Sequence, residues 1–83
     1  MLGEDFKDYR LRPSKHFVLG WMKKWGWDEI DLMNALKNAY NVEKIGKYKY
    51  ESYTRNKGKS KKLIFIIDED YKEIFVITGT ERK

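Results

Sequence analysis

Residues 63–78 read Leu63-Ile64-Phe65-Ile66-Ile67-Asp68-Glu69-Asp70-Tyr71-Lys72-Glu73-Ile74-Phe75-Val76-Ile77-Thr78. Two runs of β-branched and aromatic residues flank a short charged turn, which is the pattern of an antiparallel hairpin. Leu63 to Ile67 is a continuous apolar run, as expected for a central strand buried on both faces. Glu73 to Thr78 returns as its partner. Asp68, Glu69 and Asp70 fall on the turn, where three consecutive acids point in different directions. A solvated turn accounts for them better than a metal cluster does.

Upstream of this hairpin the period changes. Asp8 to Arg12 alternates Tyr9 and Leu11 with Arg10 and Arg12, the pattern of a short strand with one buried face, and Pro13 ends it. Ser14 is placed to cap a helix through about Trp25, with Gly26 as the stop. Phe17, Val18, Trp21, Met22 and Trp25 form its apolar stripe. Asp28 then caps a second helix through about Tyr40, with Ile30, Met33, Leu36, Ala39 and Tyr40 facing inward. So short a connection predicts a tight helical hairpin.

Between Asn41 and Lys62 the period is two again. Glu43 to Ile45 and Lys47 to Thr54 read as one bent strand or two, with Gly46 at the bend, and Arg55 to Lys62 reads as a basic hairpin loop. The predicted class is α+β: a two-helix hairpin packed on one face of a mostly antiparallel four-stranded sheet, in the order β-α-α-β-β-β, with one extra short strand as the alternative. Residues 1–7 read as a loose leader with Phe6 as a candidate anchor, and residues 8–83 as a single domain. An 83-residue chain has room for only one small core.

The basic stretch is the strongest functional signal. Residues 43–62 carry eight Lys or Arg against Glu43 and Glu51, a surplus of six that exceeds the +5 of the whole chain. Tyr48, Tyr50 and Tyr53 are threaded through it. Cations neutralise phosphates, and aromatic faces stack on unpaired bases, so the pattern points to RNA or single strands. Lys23, Lys47, Lys49, Tyr53, Lys57, Lys59, Lys61 and Lys62 are the candidate contacts. The competing account is a solvated hairpin that keeps a sheet edge soluble. Strand alternation puts Tyr48 and Tyr50 on one face and Tyr53 on the other, so only part of the set can form a stacking platform.

His16, in the first helical turn, is the one histidine and the one side chain suited to proton transfer near neutrality. A plain surface histidine is the alternative. Trp21 and Trp25 fall on the buried stripe and read as core, whereas Trp27 is more open. The chain has no cysteine and one histidine, which argues against disulfides and a zinc site. No phosphate-cradling glycine loop or nucleophile elbow is present, and no cofactor is expected. No apolar run approaches the ~20 residues of a membrane span, and the first residues lack a secretory layout. A cytoplasmic protein is expected. The absence of glutamine and cysteine, beside many Lys and Glu, matches usage in proteins from hot environments.

Ser14-Lys15-His16, the Gly26 break, the second helix and the closing strand pair ending at Thr78 together resemble small domains of the RelE/ParE-like toxin superfamily, BrnT-like proteins in particular. The resemblance covers about residues 9–78. It implies a metal-independent endoribonuclease of mRNA-interferase type, paired with an antitoxin. Carried over, His16 matches the helix-start histidine as proton acceptor. Arg55 matches a basic residue of the sheet that stabilises the phosphate, with Lys24 or Lys23 assisting. Where that family has arginines along the first helix, this chain has Lys23, Lys24 and Trp25. It also lacks the late tyrosine of some members. The alternative function is a non-catalytic basic nucleic-acid-binding module. Candidate partners are RNA or single-stranded nucleic acid, an acidic antitoxin and a second copy of the chain.

Overall fold

In the computed structural model, which describes residues 8–56 and 58–82, Ser14 joins the helical layer to the sheet. Its hydroxyl accepts the Phe17 amide at 3.0 Å, capping the helix, and donates to the Ile77 carbonyl at 2.6 Å. Phe6 and Lys57 lie outside the described residues.

Five strands form one mixed sheet: β1 (Arg10–Pro13), β2 (Asn41–Lys44), β3 (Lys49–Asn56), β4 (Lys59–Asp68) and β5 (Glu73–Arg82), in the order β1-β5-β4-β3-β2. β2 to β5 pair antiparallel, whereas β1 runs parallel to β5. The chain leaves β1 at one edge and re-enters at β2 on the other, so the helices between them must cross one face. The α+β class and the helical layer agree with expectation. The four-strand count does not: Asn41–Lys44 pairs with Tyr50–Tyr53 as a separate short strand. Pairing of β3 with β4 runs out to Asn56 and Lys59, so the expected eight-residue loop is a tight connection with Gly58 at φ +79°.

Helix α1 runs Lys15–Phe17 as α, Val18–Met22 as π and Lys23–Trp25 as α again. The wider π turn rotates the stripe, burying Phe17 and Met22 and leaving Val18 outside. Helix α2 (Glu29–Lys37) begins at a reciprocal cap, with each of Asp28 and Asp31 accepting the other's amide. The helix ends at Lys37 rather than near Tyr40, and its expected face holds in part: Leu36 and Ala39 are buried, whereas Tyr40, expected inward, is 54% exposed. Leu32, Ala35, Leu36 and Ala39 pack inward, while Ile30 and Met33 are 67% and 46% exposed. Both sets recur at helical spacing, and Ala35 lets the helix lie close to the sheet.

The core joins Phe17, Met22, Leu32 and Leu36 to Leu63, Phe65, Ile67, Ile74 and Val76. Trp21, Trp25 and Trp27 pack against its rim. β4 is central, yet only its odd residues are buried, while Ile64 and Ile66 are half-buried on the other side. The expectation of burial on both faces fails because the helices cover one face only. Between Ile64 and Phe65 the register with β5 shifts, leaving Ile77 as the extra residue of a bulge.

Gly26 ends α1 at φ +70°, with its amide bonded to Lys23 and the Trp27 amide bonded to the Met22 carbonyl at 2.9 Å. That is a left-handed C-cap, which a side chain disfavours. Gly26→Ala is therefore expected to cost about 1 to 2 kcal/mol. An unchanged urea midpoint would contradict the cap.

Candidate nucleic-acid interface

The helices cover one side of the sheet, the other side is open among the described residues, and strand register fixes what stands on it. One row across the strands is Lys49, Ile66, Phe75 and Arg12, and a second is Tyr53, Lys62 and Thr80. Glu51 and Ile64 lie between them. The Arg12 guanidinium sits 4.4 Å from the Phe75 ring centre and bonds Glu73 at 2.7 Å, so it is held flat on the surface. Ile64, Ile66 and Phe75 make a half-buried apolar centre, and arginine and lysine stand around it.

Toward the β3–β4 hairpin the surface becomes aromatic. The Tyr40 and Tyr53 rings lie 6.3 Å apart at 36°. Arg55 reaches over Tyr40 at 5.7 Å, and the Tyr40 hydroxyl bonds the Ser60 hydroxyl at 2.7 Å. Glu51 organises the neighbours: it accepts the Tyr53 hydroxyl at 2.7 Å and lies 3.9 Å from the Lys62 ammonium. These contacts set the tyrosine and the lysine side by side. Aromatic faces beside cations on an open sheet can stack unpaired bases and neutralise their phosphates.

The remaining expected contacts are not gathered here. Alternation along β4 sends Lys59 and Lys61 to the helical side, opposite Lys62. Lys61 is 4% exposed, lies 3.4 Å from Glu81, and sits 5.3 Å from the Trp25 ring centre. Lys24 lies over Trp21 at 4.7 Å, and Lys23 is exposed on α1. Lys47 lies over Tyr48, in the connection before β3. Tyr50 faces the core and stacks on Phe65 at 5.8 Å, as its parity required. The basic stretch is thus divided between the two faces of the sheet, and among its described residues only Lys49, Tyr53, Arg55 and Lys62 of the expected set share the open one.

His16 is exposed in the first turn of α1, on the helical side, whereas Arg55 stands on the open face. Lys24 lines a cleft at the far end of α1. These three do not converge on one point. Asp68 turns its carboxylate onto the Asp70 and Tyr71 amides, shaping the acidic turn.

No family model, curated protein or solved structure matches this chain. Among the described residues, no group of three or more His, Asp or Glu is placed to hold a metal ion. Also among them, no helix is long and apolar enough to cross a membrane.

Arg10, Arg12, Tyr40 and Phe75 were not singled out as contacts from the sequence. Alternation at Arg10 and Arg12 was visible there, but which strand β1 joins was not.

Proposed function

We propose that the open face of the sheet binds single-stranded nucleic acid, RNA foremost, and holds it without cutting it. The observation that carries this reading is the Tyr40–Tyr53 pair beside Arg55 and Lys62, on the face the helices leave uncovered. Bases stack on the two rings, phosphates meet Arg55, Lys62 and Lys49, and the Ile64–Ile66–Phe75 centre gives the bases an apolar floor. Specificity is modest, since stacking and charge tolerate many sequences.

The alternative, an endoribonuclease of a toxin–antitoxin pair, needs a proton acceptor and a cation at the same phosphate. With His16 on the helical side and Arg55 on the open face, binding without cleavage is the better supported reading. Anisotropy of a labelled oligouridylate, followed across salt concentration, tests it. Saturable binding that weakens with salt is expected, with the RNA intact and His16→Ala binding as the parent does. Cleavage lost in His16→Ala would install the nuclease reading instead, and absence of binding would overturn both.

A further inference from the structure

We propose that the cleft between the α1–α2 turn and the β3–β4 hairpin is a binding site for a nucleoside monophosphate. It lies on the helical side of the sheet, away from the strand-binding face, and does not depend on that reading. The cleft measures about 440 Å³ and is lined by Trp25, Trp27, Lys24, Lys59 and Lys61, together with Asp31 and Glu81. That volume falls within the range of small-ligand pockets, roughly 300–1,000 Å³.

Its charges are unequally satisfied. Lys61 is closed off by its ion pair with Glu81 and by the Trp25 ring beneath it. The Asp31 carboxylate is turned onto the Asp28 amide. Lys24 and Lys59 are exposed, and neither has a carboxylate within ion-pair distance among the described residues. Lys24 rests its ammonium over the Trp21 ring, which supplies no counter-charge, so two lining cations without a carboxylate partner among the described residues favour an anion in the cleft.

The walls add a second requirement. Gly26 swings the chain so that Trp27 packs on Trp25, with ring centres 4.7 Å apart at 52°, and the Trp27 indole is only half-buried. An indole in a cleft that two exposed lysines also line suits a ligand with a flat aromatic end and a doubly charged end. A base stacked on Trp27, with its phosphate between Lys24 and Lys59, meets both demands. Inorganic phosphate leaves the indole unused, and a nucleoside leaves the lysines uncompensated.

Titration of the full chain with UMP and with AMP, followed by tryptophan fluorescence and calorimetry, tests this. Saturable binding with a change in indole emission is expected. Uridine and inorganic phosphate should each bind about tenfold more weakly or worse, as expected when one set of contacts is lost. Lys24→Ala and Lys59→Ala, both at exposed positions, should each weaken UMP by about tenfold. Lys15→Ala, at an exposed position of α1 outside the cleft, should leave it unchanged. No saturable response to either monophosphate would overturn the proposal. So would phosphate binding as tightly as UMP, or affinity unaltered in the Lys24 and Lys59 variants.

Discussion

Replacing Lys49, Arg55 and Lys62 together by alanine is expected to weaken single-stranded RNA binding by about a thousandfold, roughly tenfold for each charge-assisted contact. The same variant should show a shallower salt dependence, because each phosphate contact on a single strand contributes about 0.7 to the slope and three contacts about 2. Net charge alone predicts the same loss from any three cations. Lys15, Lys23 and Lys37, all exposed on the helical side, provide the matched control. Their triple alanine variant should bind within a fewfold of the parent. Equal losses in the two variants would show that overall charge, not the open face, governs binding. Tyr53→Ala removes a ring and no charge, and should cost about 1 to 3 kcal/mol while leaving the salt slope unchanged.

The second large effect concerns the joint between helix and sheet. Phe17 is fully buried, and its ring lies against the Cα of Gly79 on β5. A Cβ at residue 79 would stand 2.9 Å from the Phe17 ring, 2.9 Å from the Lys62 carbonyl oxygen and 3.1 Å from Leu63. The carbonyl belongs to the neighbouring strand and cannot retreat without breaking the β4–β5 ladder. Gly79→Ala is therefore expected to destabilise by about 1 to 3 kcal/mol, and Phe17→Ala by about 3 to 5 kcal/mol. Domains of this size are stable by about 4 to 12 kcal/mol, so Phe17→Ala removes a large share. Urea unfolding measures both. The two sites touch, so Phe17→Leu combined with Gly79→Ala should cost less than the sum of the single changes. A neutral Gly79→Ala would mean that the helix does not sit where it is described.

What the sequence conveyed follows from the range of the interactions involved. Ser14, Gly26 and Asp28 act on their own few neighbours, so the ends of α1 and the start of α2 could be read directly. The turn at Asp68–Asp70 and the β3–β4 hairpin are equally local. The parallel docking of β1 against β5 joins Arg10 to Glu73 across most of the chain, and no nearby residue encodes it. Whether Ile30 and Met33 or Leu32 and Ala35 join Leu36 on the inward face of α2 was settled by which side the sheet could meet. The π turn at Val18–Met22 shifted the first helix in the same way.

The candidate site shows the same division. Parity alone separated Tyr50 from Tyr53, and the structure keeps that separation, whereas Lys61 and Lys62, expected together in a loop, stand on opposite faces of β4. What parity could not supply was which face the helices would cover. That one fact moved Lys59 and Lys61 to the cleft, while the docking of β1 on β5 brought Arg12 into the row with Phe75 and Lys49. It also set His16 and Arg55 on different sides.

Isoleucine methyl groups sample the two sides of the sheet separately: Ile64 and Ile66 stand on the open face, Ile67 and Ile74 in the core, and Ile30 on the outer helix. Titrating methyl-labelled protein with oligouridylate should shift Ile64 and Ile66 most and produce ribose contacts to them, with Ile30 still. Shifts confined to Ile30, with Ile64 and Ile66 unmoved at saturation, would place the nucleic acid elsewhere and contradict binding on the open face.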